Sequence, residues 1–401
     1  MNMFLLLLLV TYIVAMVNSL FAYNVPYNIK QQFLDTDKPL NFTAHARIYG
    51  QRAVEYEVQT EDGYLLGLHR IPGRRGLPIL LMHGYTDTSD TWIVRGYKSL
   101  GITLASLNYD VWFGNIRGNR YSRRHVKLNP DKDASFWDYS FHEYGHYDLP
   151  AIIDTILSKT GSAKLNAIGH SQGNTIFYVL GSTRPEYNKK INVLTALAPI
   201  CYLNNLPPPL SKIELYGYEI IGALMKLGVN EIFGDVSPSG RAAKAICERP
   251  EVGYAICVLG AIFSVSGYDA EEFPPYIFDV VIKHYPAATS RKNFNHFWQV
   301  AVRERFSKFD YGPEKNYVEY NSTIPPDYNL KAVTMPVVLI AAKNDKVSLI
   351  SNVEILNQQL PNVVAYKIIE RDLTNHVDFV WGSNMYEYLF PYIFAILRNF
   401  Q

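Results

Sequence analysis

The stretch Ala167-Ile168-Gly169-His170-Ser171-Gln172-Gly173-Asn174-Thr175 decides how the rest of the chain is read. One serine stands between two glycines. It follows the apolar, strand-like run 164–170 and precedes the helix-like run 174–181. As five letters, G-x-S-x-G is a weak signal. Between a buried strand and a helix it is a strong one, because a tight strand–turn–helix lifts the serine hydroxyl clear of the sheet. Glycines at the flanks then have a physical reason, since a Cβ at either would strike the strand or the helix. The helix N-terminus behind Ser171 also favours negative charge as it develops.

The surrounding pattern supplies that setting. VEYEVQT (54–60) and YLLGLHR (64–70) flank a Gly-containing turn and predict a hairpin. PILLM (78–82) and YDVWFGN (109–115) read as buried strands. Leu149, Ile152, Ile153, Ile156 and Leu157 keep a helical period, with Asp148 as the expected cap, Pro150 in the first turn and Gly161 as the stop. Strand 164–170, helix 174–181 and strand 192–199 follow. The alternation stops at Pro199 and resumes with strand 335–342, helix 350–360, strand 363–369 and a last helix over 384–400. Strands alternating with helices predict an α/β fold with a mostly parallel sheet. The expected organisation is a core of 23–199 and 326–401, interrupted by an inserted segment of 200–325.

A serine hydroxyl is a weak nucleophile near neutral pH. It needs a base, and the base needs orienting. In this architecture the partners follow in the order Ser, acid, His, each after a strand. Asp345 stands just beyond the strand 335–342, and His376 just beyond the strand 363–369. Asp378 is the rival acid, but no strand end precedes it. Ser171 as nucleophile, His376 as base and Asp345 as its orienting acid form the expected triad. A tetrahedral oxyanion needs two backbone donors. The Gln172 N–H is one, and the Tyr85 N–H, in the loop His83-Gly84-Tyr85, is the other. His83 and His170 are expected to position these loops by hydrogen bonds. His142 and His146 have a metal-compatible spacing but lack a carboxylate in the pattern of a metalloprotease helix, so no metal site is expected.

Composition narrows the class. The 401 residues hold 38 basic and 37 acidic side chains, a formal charge of +1, which does not favour a nucleic-acid partner. The one basic cluster, IRGNRYSRRH (116–125), reads as anchored and solvated arginines. The apolar run Phe4–Val17, followed by Ser19 and Ala22, predicts a secretory signal over 1–22, with an uncleaved anchor as the alternative. In that route Asn41 (NFT) and Asn321 (NST) are glycosylation acceptors, and the product is extracellular or lysosomal. Cys247 and Cys257 are close enough in sequence to close a small loop, leaving Cys201 as a buried thiol.

Taken together, EYEVQTEDGYLLGLHRIP, HGY, YDVWFGNIRGN, YDLPAIID, GHSQGNT, ALAP and NHVDFVWG resemble the acid lipases of the α/β-hydrolase fold, from about Tyr49 to the C-terminus. The resemblance implies a lipase hydrolysing carboxylic esters of neutral lipids, triacylglycerols or cholesteryl esters, at a lipid–water interface and without metal or cofactor. It implies that the insertion is a helical cap with a lid. It carries the triad onto Ser171, Asp345 and His376, and a cap disulfide near Cys247–Cys257. Tyr85 departs from the family's usual leucine, the loop IPGRRGLP is shorter than in mammalian members, and Cys201 lies outside the lid. Within the insertion, Ile220, Leu224 and Leu227 form one helical face, and 255–265 is almost wholly apolar. Both are expected to pack on the core or to open onto lipid. The competing readings are a non-catalytic lipid-binding or storage protein on the same fold, a peptidase, or a short-chain esterase.

Overall fold

Alternate side chains along the central strands enter two separate cores, one on each side of the sheet. The computed structural model describes residues 40–250 and 252–400, so the expected leader over 1–22 lies outside the described residues. The first strands are β1 (Val54–Gln59), β2 (Tyr64–Ile71), β3 (Arg75–Met82), β4 (Tyr109–Gly114) and the short β5 (Arg124–His125). Then come β6 (Leu165–His170) and β7 (Ile191–Leu197), the two-residue β8 (Glu231–Ile232) and β9 (Thr289–Ser290), β10 (Val337–Ala341) and β11 (Val363–Ile368). The main sheet runs β1-β2-β4-β3-β6-β7-β10-β11, with β5 beside β2. It is parallel from β4 to β11, and β1 and β2 are antiparallel at one end.

Leu80 and Met82 of β3, Ala167 of β6, and Val337 and Leu339 of β10 belong to one core. Ile79 and Leu81, Ile168, and Val338 and Ile340 belong to the other. A strand buried on both faces reads as an unbroken apolar run, which is why these segments are visible in the sequence. The first core is covered by α1 (Leu149–Thr160) and α2 (Gln172–Thr183). The second is covered by the helix Leu100–Ser106 and by the C-terminal helix Phe390–Asn399.

Two expectations are corrected. Asp148 does not cap α1, because the chain is already helical from Phe141 through a π-helical turn at Tyr144–Asp148. The segment 384–400 is two helices, Met385–Tyr388 and Phe390–Asn399. Pro391, lacking an N–H, cannot continue the first and instead opens the second.

Residues 200–325 hold helices and the β8–β9 ribbon. The longest helix is α3 (Leu210–Lys226), and it crosses α4 (Arg291–Arg303) where Trp298 meets Gly217 and donates to the Glu214 carbonyl at 2.9 Å. Of the two outcomes left open for the apolar face of α3, packing on the core or exposure, Ile220 and Leu227 show exposure. Gly217 and Ile221 are the buried positions. Cys247 and Cys257 form a disulfide, and Cys201 is a buried free thiol.

Two buried ionic clusters tie distant segments together. Arg117 is fully enclosed, with its guanidinium paired to Asp148 (2.7 Å) and Asp62 (2.5 Å) and stacked over the Tyr64 ring. Arg120, Arg123 and Arg124 of the same basic cluster are each paired with carboxylates. At the other end of the sheet, Asp269 and Glu272 of the insertion meet Arg371 and Asp378 of the C-terminal part, Arg371 bonding Asp269 and Glu272 holding Asn384 and Tyr388. Burial first, and then the adjacent Asp269, push the Asp378 carboxyl well above the usual carboxylate range.

Removing Arg117 leaves Asp148 buried without its counter-charge. Arg117→Leu is therefore expected to lower the unfolding free energy by about 3–5 kcal/mol in urea titration. The raised Asp378 carboxyl keeps its proton in the folded state where the unfolded chain has lost it, above about pH 4. Folding stability thus falls as pH rises from there to the folded pKa. Asp378→Asn, which cannot ionise, is expected to flatten that decline when unfolding is measured from pH 4 to pH 8.

Candidate active site

Ser171 occupies the turn between β6 and α2 with φ 55° and ψ −122°. No side chain favours that conformation, and it persists because the surroundings fix it. The Ser171 amide donates to the Leu197 carbonyl at the end of β7, at 3.0 Å. A Cβ on Gly169 would collide with the Gly173 backbone, and one on Gly173 would collide with the Met82 and His83 carbonyls. Only glycine fits on either side of the serine.

Three loops at one end of the parallel strands meet here. His376 Nε2 lies 2.8 Å from Ser171 Oγ, and His376 Nδ1 lies 2.8 Å from Asp345 Oδ2. The second oxygen, Asp345 Oδ1, accepts the amides of Val347 and Ser348 at 2.8 and 2.7 Å. An ionised carboxylate only accepts, so the imidazole carries its proton on Nδ1 and turns the lone pair of Nε2 toward the serine. Ser171, Asp345 and His376 are 6%, 2% and 8% exposed. Asp378, the rival acid, does not reach the imidazole. Its Oδ2 accepts the Asn375 amide at 2.8 Å, and it belongs to the cluster with Asp269.

The His376 loop is itself held from two directions. Its amide donates to the Ser266 carbonyl of the insertion (3.1 Å), and its carbonyl is 2.9 Å from His170 Nε2. Burial, and then the neighbouring His376, hold the His170 pKa down to about 3. Burial likewise holds His83 at about 4. Both are neutral supports, and His83 spans Gly84 O and Asn119.

Gly84 brings the loop after β3 against the serine, since a Cβ added there would stand 3.3 Å from Ser171 Cβ. Neither the Tyr85 nor the Gln172 amide donates to a protein acceptor among the described residues. Both amides are thus left without a protein partner, as a donor to a developing oxyanion must be. The Tyr85 ring packs edge-on against Phe297 of α4 with its hydroxyl buried and unpartnered.

The remaining sequence candidates lie elsewhere. His142 and His146 stack on each other and take hydroxyl partners, Tyr328 and Thr183, and no metal-binding group of three was found among the described residues. Asn41 and Asn321 are exposed, Asn41 capping the helix Phe42–Ile48 through Ala44 N. Sequence reading missed Ser266, whose carbonyl holds the His376 loop, and Asn293, whose side-chain amide meets the Gln172 side chain. Neither carries a local signal, since each lies over a hundred positions from its partner.

Comparison with known proteins identifies the family. A profile of the alpha/beta hydrolase fold matches residues 78–217, and one of a partial alpha/beta-hydrolase lipase region matches 42–96. Lipase 1 of Drosophila melanogaster is 38% identical, over 92% of this chain and 81% of its own. Gastric triacylglycerol lipase of Rattus norvegicus is 35% identical, over 86% and 88%. Lysosomal acid lipase/cholesteryl ester hydrolase of Rattus norvegicus is 34% identical, over 86% and 89%. An esterase of Thermogutta terrifontis shares the fold at a TM-score of 0.50 and 12% identity, over 86% of this chain and 99% of that one. With relatives this similar matched along most of both chains, the chain belongs to the lipase family of the α/β-hydrolase fold that contains the gastric and lysosomal acid lipases.

Proposed function

We propose that this protein is a serine-dependent lipase that hydrolyses carboxylic ester bonds of neutral lipids through an acyl-enzyme. The single observation that carries the reading is the continuous line of hydrogen bonds Asp345–His376–Ser171, at 2.8 Å each. Ser171 Oγ attacks the ester carbonyl carbon while its proton passes to His376 Nε2. The carbonyl electrons move onto oxygen, where the Tyr85 and Gln172 amides receive them. Collapse expels the alcohol, which takes the proton from His376 and leaves the acyl group on Ser171. Water then repeats the sequence and releases the fatty acid. Asp345 holds the tautomer and stabilises the imidazolium formed in each half.

Triacylglycerols and cholesteryl esters are the proposed substrates, on the likeness to the gastric and lysosomal relatives. Two features favour lipid over small soluble esters. Ser171 is nearly sealed, at 6% exposure, and we read the insertion as the part that must open to admit a substrate. On the outside of that insertion, α3 and its end present Leu215, Tyr218, Met225 and Leu227 to solvent. Exposed large apolar side chains along a surface helix fit a lipid–water interface. The insertion is therefore read as a cap with α3 in its lid. We further propose a place in the secretory route, extracellular or lysosomal, supported by the Cys247–Cys257 disulfide and the exposed acceptors Asn41 and Asn321.

Ser171→Ala is expected to lower hydrolysis of an emulsified long-chain triglyceride by about six orders of magnitude while circular dichroism shows an unchanged fold. Measurable turnover at a hundredth of the wild-type rate would remove the mechanism. On a chain-length series, long-chain esters in emulsion are expected to be turned over faster than acetate esters in solution. Activity confined to the short, soluble members would assign the protein to the esterases instead.

A further inference from the structure

Both backbone donors beside Ser171 are gripped by one short stretch of the insertion, residues 284–293. His284 Nδ1 lies 2.9 Å from Asp90 Oδ2 in the loop that carries Tyr85. The Tyr285 hydroxyl accepts from Thr86 Oγ1 at 3.2 Å, and the Ala287 amide donates to the Thr86 carbonyl at 2.7 Å. Thr86 directly follows Tyr85 and has φ 51°, a conformation that a threonine keeps only under restraint. At the other donor, Asn293 Nδ2 donates to Gln172 Oε1 at 2.7 Å and to Thr289 Oγ1 at 3.0 Å. The Asn293 Oδ1 accepts the Phe141 amide at 2.9 Å, and its own amide bonds Ser290 Oγ at 2.9 Å. Ser290 Oγ in turn donates to the Tyr139 carbonyl. Asn293 is fully buried and every polar atom of its side chain is used, so its amide cannot turn without breaking a bond.

From this we infer that Asn293 is a positioning residue for the oxyanion site, acting through Gln172, and that 284–293 is the part of the insertion that braces it. The inference rests on the proposed role of Ser171 and goes beyond it. Gln172 is the first residue of α2, and the bond from Asn293 to its side chain ties the start of that helix to the insertion. Asn293 contacts neither the ester nor the serine. Releasing the tether leaves substrate binding alone and loosens a donor that is needed only when charge appears on the carbonyl oxygen. Such a loss belongs in kcat and not in KM. A displacement on the order of 1 Å at such a group costs about a hundredfold.

The test uses the full-length protein with p-nitrophenyl butyrate as a soluble ester, and a trifluoromethyl ketone as a probe of the tetrahedral state. The ketone reproduces that state reversibly: Ser171 Oγ bonds its carbonyl carbon, the serine proton goes to His376, and the carbonyl electron pair becomes the oxyanion. Asn293→Ala and Gln172→Met are each expected to lower kcat about 10- to 100-fold with KM within twofold, and to weaken the ketone in parallel. Combined, they are expected to be no worse than the worse single variant, because both break one tether. Gln172→Met keeps the backbone donor and decides the matter if Asn293→Ala fails to fold. A Gln172→Met kcat within twofold of wild type, a loss carried by KM, or a combined loss equal to the product of the singles would each overturn the inference. Retained turnover in Ser171→Ala, run beside them, would overturn both this inference and the reading beneath it.

Discussion

A serine held at φ 55° is the constraint on which the remaining structure depends. Such a conformation costs on the order of 1–3 kcal/mol and survives only where neighbours leave no alternative. Here the neighbours are two glycines without room for a Cβ, the Leu197 carbonyl and the loop after β3. The sheet is arranged around this point. β6 lies between β3 and β7, so the turn after it is flanked by both of their ends. The strand order therefore brings the Gly84 loop and the Asp345 and His376 loops within reach of one hydroxyl, although the latter two are 174 and 205 positions away in sequence.

The imidazole is the second fixed point, and its support is spread over the whole molecule. Asp345 fixes the tautomer, His170 takes the His376 carbonyl, and Ser266 takes its amide. An imidazole that turned by a fraction of its rotamer range would lose both ring contacts at once. Burial keeps one of those supports neutral by suppressing the charge on His170.

The parts legible in the sequence were those governed by local chemistry. Strands buried on both faces announced themselves as unbroken apolar runs, and the turn around Ser171 declared itself through its glycines. Asp345 and His376 followed from strand ends. Asp148 was misread because its position, just before an apolar helix with Pro150, has the local look of a cap. Its true partner, Arg117, is 31 residues away, and only the packed fold reveals it. For α3, periodicity alone left open whether Ile220 and Leu227 meet the core or solvent, and the packed fold leaves both exposed. Asn293 had no signal at all, since a tether is a property of two surfaces meeting.

One carbonyl shows how deeply the insertion is written into the rest of the molecule. The oxygen of Ser266 receives the amide of His376 and, more distantly at 3.4 Å, that of Lys346, the residue after Asp345. Two loops of the core therefore converge on a single atom that the core does not own. The inserted segment is thus not an interchangeable attachment. Exchanging it wholesale for that of a distant relative would carry away a joint of the machinery along with the covering. Grafts designed to alter what this fold accepts would do better to leave 263–272 and 284–293 in place and exchange only the stretch that carries α3.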